Sequence, residues 1–293
     1  MRKSLFGLAL LASSLPCLAR PPADQPMDAS VLGEPQLAYS FKVRELDSAD
    51  GQRHYRLWIG KPNTPPPPGG YPVAYLLDGN AAMGALDKPL LDQLAKGRPP
   101  VLVAVGYATA LRIDREGRTY DYTPGPLGRD PLTGLASGGA DRFLDLLAQR
   151  VKPLVASEVK LDPTQQTLWG HSYGGLLVLH ALLTRPGEYQ TYAPASPSLW
   201  WNSTLMQSER AGFEQRMAPH TARLLLMRGE GELAAPMGVV SSPKAPSAAT
   251  LALVASLQQV PGLATEFKAF PGLGHGPMLD ASLRYLLQSI SAR

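Results

Sequence analysis

Cysteine occurs once in the 293 residues, at Cys17. That scarcity excludes a disulfide-stapled fold and a Cys-rich zinc module. No His-x-x-x-His pair and no dense carboxylate cluster is present, so neither a metal site nor a cofactor is expected. G-x-G-x-x-G and G-x-x-x-x-G-K-[ST] are absent as well, which removes the usual phosphate cradles. Charged residues make up only 18%, with a formal balance of +4. This is too mild for a nucleic-acid footprint.

What the chain does contain is 44% hydrophobic residues, enough for one large α/β domain with a full core. The N-terminus stands apart. Arg2 and Lys3 precede an apolar run from Leu5 to Leu15, and Cys17-Leu18-Ala19 offers a small-x-small cleavage site. The run is too short for a permanent bilayer anchor. Residues 1–19 therefore read as a secretory signal and 20–293 as the functional domain. A lipid anchor on Cys17 would want a small residue before it, where Pro16 stands. Cleavage removes Arg2 and Lys3 with the only cysteine, lowering the formal charge from +4 to +2.

Residues 20–35 are Pro-rich and extended in character. Leu37 to Val43 and His54 to Ile59 alternate apolar and polar side chains, as two antiparallel strands do. Val73 to Leu77 and Val101 to Val105 are almost wholly apolar, as expected of central strands covered on both faces. Further strands are predicted at Thr167 to Gly170, Thr191 to Ala195, Arg223 to Met227 and Thr265 to Phe270. Helices are predicted near Ala81 to Ala95, near Asp141 to Glu158, after Tyr173, and at Ala281 to Ile290. Alternation after an antiparallel start predicts an α/β fold with a mostly parallel central sheet flanked by helices, and no separate lid domain. Tyr107 to Gly139 and Pro236 to Ala248 read as long irregular loops.

The chemistry centres on Gly170-His171-Ser172-Tyr173-Gly174. A G-x-S-x-G motif alone is common, but here it joins a buried strand to a buried helix. The serine must then occupy a tight, strained turn that exposes its hydroxyl and points the Tyr173 amide at a developing oxyanion. A serine nucleophile needs a base. Of five histidines, His54 lies in an early strand, and His171 should point away from Ser172. His180 falls in the buried helix as a core residue, and His220 precedes a strand at the wrong end of a parallel sheet. His275 follows the last strand, in Gly274-His275-Gly276-Pro277, and is the predicted base. The acid should follow the strand ending at Met227. Glu232 is preferred over Glu230, and a Ser–His dyad stays open. The second oxyanion donor is expected at Asn80, in Asp78-Gly79-Asn80.

Leu76-Leu77-Asp78-Gly79-Asn80, Gly170 to Gly175, Ala195-Ser-Pro-Ser-Leu-Trp-Trp201 and Gly274 to Pro277 together resemble the putative-esterase family of α/β-hydrolases. Within it, the likeness is to periplasmic esterases of catecholate siderophores. The resemblance implies an α/β-hydrolase fold and hydrolysis of the trilactone ester bonds of enterobactin or its ferric complex. It also implies oxyanion donors at Asn80 and Tyr173, a periplasmic location, and substrate supply through an outer-membrane siderophore receptor. Arg112, Arg115, Arg118 and Tyr120, in the long loop after Val105, could meet an anionic catecholate. Asp114 and Glu116 are interleaved with them, so a charge-balanced solvated loop is an equal reading. Of Trp200 and Trp201, one is expected to wall the site and the other to fill the core. A carboxylesterase or acyltransferase for small acyl esters, and a non-catalytic siderophore-binding protein, remain alternatives.

Overall fold

The computed structural model describes residues 25–232 and 248–292. The proposed signal, residues 1–19, lies outside the described residues, as does most of the stretch from Pro236 to Ala248. Two antiparallel strands come first, β1 (Tyr39–Asp47) and β2 (His54–Pro62). Then follow β3 (Tyr71–Leu76), helices α1 (Gly79–Gly84) and α2 (Lys88–Leu94), and β4 (Val101–Tyr107). Beyond β4 lie α3 (Arg115–Tyr122), a hairpin of β5 (Gly128–Arg129) and β6 (Ala136–Ser137), α4 (Ala140–Leu146) and α5 (Lys152–Glu158). The chain continues through β7 (Leu161–His171), α6 (Tyr173–Thr184), β8 (Thr191–Ala195), α7 (Ser203–Arg210), α8 (Phe213–Met217) and β9 (Ala222–Gly229). It closes with α9 (Ala248–Leu257), β10 (Leu263–Phe270) and α10 (Met278–Ser291).

Among the described residues, eight strands form one sheet in the order β1-β2-β4-β3-β7-β8-β9-β10. β2 pairs antiparallel with β1 and β4, and from β4 onward every pairing is parallel. Strand alternation divides the core into two layers. Val73, Tyr75, Val103 and Leu177 pack with Phe143 and Phe213 on one face. Ala74, Leu76, Leu102 and Ala104 pack with Met83, Leu90, Leu283 and Leu287 on the other. Every residue of β3 and β4 is buried, which is why those strands read as unbroken apolar runs.

The helices depart from the sequence pattern at prolines and polar turns. The helix expected over Ala81–Ala95 is two helices. Asp87 caps the second, accepting from the Leu90 amide at 2.8 Å, and Pro89 sits in its first turn. The segment Asp141–Glu158 is α4 and α5 joined by a π turn over Leu147–Val151, just ahead of Pro153, which removes a donor from the ladder. The loop expected over Tyr107–Gly139 holds α3. That helix has no apolar stripe to betray it, but Asp114 caps it through the Gly117 amide at 2.8 Å.

The strand order reverses at β3, flanked by β4 on one side and β7 on the other. Such a switch point opens a crevice beyond the strand C-termini. Three strands end there on non-glycine residues held at positive φ: Asp78 after β3 (φ 51°), Ser172 after β7 (φ 61°) and Ser196 after β8 (φ 45°). Backbone strain of this kind persists only where the surroundings enforce it.

Candidate active site

The Ser172 turn is enforced by close approach. A side chain on Gly170 would sit 2.5 Å from the Gly174 backbone, and one on Gly175 would sit 2.7 Å from the Ala195 carbonyl oxygen. Only glycine lets β7, α6 and β8 converge this tightly. The Ser172 amide donates to the Ala195 carbonyl at 3.0 Å, tying the turn to the neighbouring strand end.

His275 arrives from the loop between β10 and α10. Its Nε2 lies 3.0 Å from Ser172 Oγ, and its Nδ1 lies 3.2 Å from Glu232 Oε2. The imidazole is half exposed, whereas Glu232 is buried at 4%. Glu232 Oε1 accepts from the Ser196 hydroxyl at 2.5 Å and from the Gly229 amide at 2.9 Å. Burial pushes the Glu232 carboxyl up, but the bonds from His275, Ser196 and Gly229 outweigh it and hold the group below its usual range. Arg228 Nη2 stands 3.7 Å from Oε2. Glu230 is exposed, and its amide is bonded to Phe270, so the structure brings Glu232 and not Glu230 to His275.

His171 does not simply point away. Its ring lies 4.6 Å from the His275 ring, and its Nε2 is 2.9 Å from the His275 carbonyl oxygen. A carbonyl only accepts, so Nε2 carries the proton and donates. Burial, helped by the neighbouring His275 ring and the Arg118 guanidinium, holds the His171 pKa well below its usual value, so the ring is neutral. His180 is the core residue expected, lodged between Glu209 (2.8 Å) and Asp141 (3.3 Å).

Asn80 and Tyr173 lie in the first turns of α1 and α6, where amides have no carbonyl of their own helix to bond. The Asn80 side chain is occupied elsewhere. Its Oδ1 accepts from the Tyr107 amide at 2.8 Å, and its Nδ2 donates to the Tyr107 and Thr109 carbonyls at 3.1 Å each. That leaves its backbone amide as the group the expected oxyanion role would use. The Tyr173 hydroxyl donates to buried Asp130 Oδ2 at 2.5 Å, binding the β5–β6 hairpin to the start of α6.

The Arg/Tyr loop is corrected in part. Arg118 is not a free anion-binding group. It forms a bidentate pair with Asp78 at 2.8 and 2.9 Å and also donates to the His171 carbonyl at 3.3 Å. Its charge is neutralised inside the scaffold, where it braces the turn after β3 against the Ser172 turn. Tyr120 is likewise engaged, lying under Arg53 at 4.3 Å and accepting from Arg142 at 2.8 Å. Arg115 is exposed on α3. Arg112 is half-buried, 3.5 Å from Asp280, beside a hollow lined by Gln25, Gly276 and Pro277 next to His275. Trp200 and Trp201 do not divide into wall and core. Both are half-buried against the Tyr173 ring, at 5.8 and 5.6 Å.

Sequence reasoning missed Ser196, Ser198, Asp130 and Arg228, and the contact of His171 with the loop that carries His275. The available signal was the Ser-Pro-Ser run directly after β8, the strand beside the nucleophile's own. Among the described residues no cluster of three or more His, Cys, Asp or Glu side chains could hold a metal. No described helix is long and apolar enough to cross a membrane. The arrangement pairs a serine hydroxyl with a base oriented by a buried carboxylate, next to helix-start amides. That is the equipment for nucleophilic acyl transfer.

A model of the putative esterase family matches residues 48–259, a span that includes Ser172 and Glu232 and ends before His275. Apo-salmochelin esterase of Escherichia coli is 38% identical over 279 residues, covering 92% of this chain and 85% of that protein. Ferri-bacillibactin esterase of Bacillus subtilis is 33% identical over 262 residues, covering 84% and 89%. Among solved structures, the enterobactin and salmochelin hydrolase IroE superposes with a TM-score of 0.71 at 37% identity, covering 90% of this chain and all of that one.

Proposed function

Because the chain belongs to the putative-esterase family, we propose that it is a serine esterase cleaving the ester bonds of catecholate trilactone siderophores, enterobactin or its ferric complex. The observation that carries the reading is Ser172 Oγ lying 3.0 Å from His275 Nε2, with Nδ1 3.2 Å from buried Glu232. The names of the similar esterases, whose substrates are siderophores, support the substrate class.

The chemistry proceeds in two steps. His275 takes the Ser172 proton as Oγ attacks the ester carbonyl. The Asn80 and Tyr173 amides receive the oxyanion, and the leaving alcohol departs with the proton from His275. Water activated by the same imidazole then attacks the acyl-enzyme and releases the acid. Glu232 keeps the proton of the neutral imidazole on Nδ1 and steadies the imidazolium as it forms. Among the described residues, the His275 imidazole is half exposed, so the water that deacylation needs can reach the base. Arg112 and Arg115 remain as the cations of the original cluster that an anionic catecholate can approach.

Ser172→Ala is expected to lower kcat by roughly a million-fold while leaving binding intact. Product analysis with apo and ferric enterobactin, ranked by kcat/KM against p-nitrophenyl acetate and acetylated sugars, tests the substrate. Preference for the small esters would replace the siderophore reading with that of a general carboxylesterase. Removal of residues 1–19 and a periplasmic destination are part of the same proposal, with substrate delivered through an outer-membrane siderophore receptor. Cell fractionation and an N-terminus at Arg20 in the mature protein test the first two points.

A further inference from the structure

Ser198 is buried at 2%, and its hydroxyl oxygen lies 3.3 Å from Ser172 Oγ. The residue is held there by the backbone. Its amide donates to the Ser172 carbonyl at 3.2 Å, and its own carbonyl accepts from Trp201 at 3.0 Å. Pro197 stiffens the approach, and positive φ at Ser196 turns the chain toward the site. A hydroxyl fixed this way needs a partner, and the one beside it is the reacting oxygen.

The direction of this hydrogen bond follows from the proton inventory. Glu232 is held below the usual carboxyl range, so it is ionised and only accepts. His275 therefore carries its proton on Nδ1 and presents a lone pair at Nε2. Ser172 gives its own hydrogen to that lone pair. The hydrogen between the two serine oxygens is then that of Ser198, which donates to Ser172 Oγ.

Building on the acyl-enzyme reading above, we propose that Ser198 is a catalytic hydrogen-bond donor to Ser172 Oγ, acting chiefly in deacylation. In that step water adds to the acyl carbonyl, His275 takes a water proton, and the carbon–Oγ bond breaks as the proton passes from His275 to Oγ. Negative charge builds on Oγ while the bond breaks, and a donor already aimed at that atom stabilises it. In acylation Oγ is the attacking atom, and the same donor slightly blunts its lone pair while easing loss of its proton. The two effects largely offset each other. Ser198 gives up no proton in either step.

Rapid mixing with p-nitrophenyl acetate separates the two steps, since the burst of nitrophenol reports acylation and the steady state reports deacylation. For Ser198→Ala the steady-state rate is expected to fall by about ten- to a hundredfold, the worth of a hydrogen bond to a charged oxygen. The burst rate should stay within about threefold, and KM should fall with kcat as acyl-enzyme accumulates. Ser198→Thr, which keeps the hydroxyl, should recover most of the steady-state rate. If the alanine variant proves unfolded by circular dichroism, Ser198→Cys, of similar shape and weak as a donor, replaces it with the same expectation. A steady state within twofold of wild type overturns the proposal. So does an equal fall of burst and steady state, which would mean a purely structural role. Absence of any burst in the wild type, with no fluorophosphonate labelling of Ser172, would instead overturn the acyl-enzyme reading on which the proposal rests.

Discussion

Two carboxylates two residues apart illustrate what single side chains decide here. Glu230 and Glu232 share a short turn after β9, yet only Glu232 folds inward to meet His275, Ser196 and Gly229. Glu232→Gln is expected to lower kcat by ~10³–10⁴-fold, because an amide stabilises the wrong tautomer of the base. Glu230→Gln should leave kcat within about twofold by the same steady-state assay, since its side chain is exposed and bonds neither His275 nor Ser172. The serine and the histidine were legible in the sequence because each sits in a motif whose position between strand and helix is diagnostic. The acid was legible only to within two residues. Both glutamates follow the right strand, and spacing says nothing about which side chain the turn buries. The partner of His171 was missed for a related reason. Its side chain does leave the nucleophile, but the loop carrying His275 folds over to meet it from 104 residues away in sequence.

At the level of elements, the segment from Ala195 to Trp201 does the most. It touches the acid through Ser196, the nucleophile through Ser198, and the Tyr173 ring through Trp200 and Trp201. Helix α3 has a different task. Through Arg118 it joins the turn after β3 to the turn after β7, setting the spacing between the Asn80 and Ser172 turns. Arg118→Met should leave Asp78 buried at 4% with an unpaired charge. That costs about 3 kcal/mol of stability, measured by urea denaturation. Arg115→Met, on the exposed side of the same helix, should change stability by less than about 0.5 kcal/mol. The sequence showed three arginines in one loop and no means of sorting them. Sorting required the helix, and the helix was hidden because its sequence has no aliphatic stripe and its cap, Asp114, looks like any loop aspartate.

Across the whole molecule, the sheet places its chemistry at one end and leaves the far half of α6 free for stability. There His180 sits buried between Asp141 and Glu209, with Arg185 bonded to Asp141. Burial works against its charge, but the hydrogen bonds to Asp141 and Glu209 overcome it and raise the pKa to about 9. A histidine whose folded pKa exceeds its unfolded value stabilises fully below the unfolded pKa, about 6.5. That contribution is lost as pH climbs through about 9. Melting temperature should therefore decline from pH 7 to 10 more steeply in the wild type than in His180→Gln. The comparison with the variant matters because half-buried Lys152, lowered by desolvation to about 8, works in the opposite sense over the alkaline range.

Periodicity and composition by themselves determined the strands of the main sheet, the antiparallel start, the nucleophile and the base. These are properties of local pattern, in which apolar runs mark covered strands and glycines mark a forced turn. The tertiary structure alone decided which glutamate is the acid, which arginine braces the scaffold, and that Ser198 stands against Ser172. Each of those depends on segments far apart in the chain meeting at the ends of β3, β7 and β8. Burial and partnership at such a junction are set by packing between elements, and no single stretch of sequence carries them.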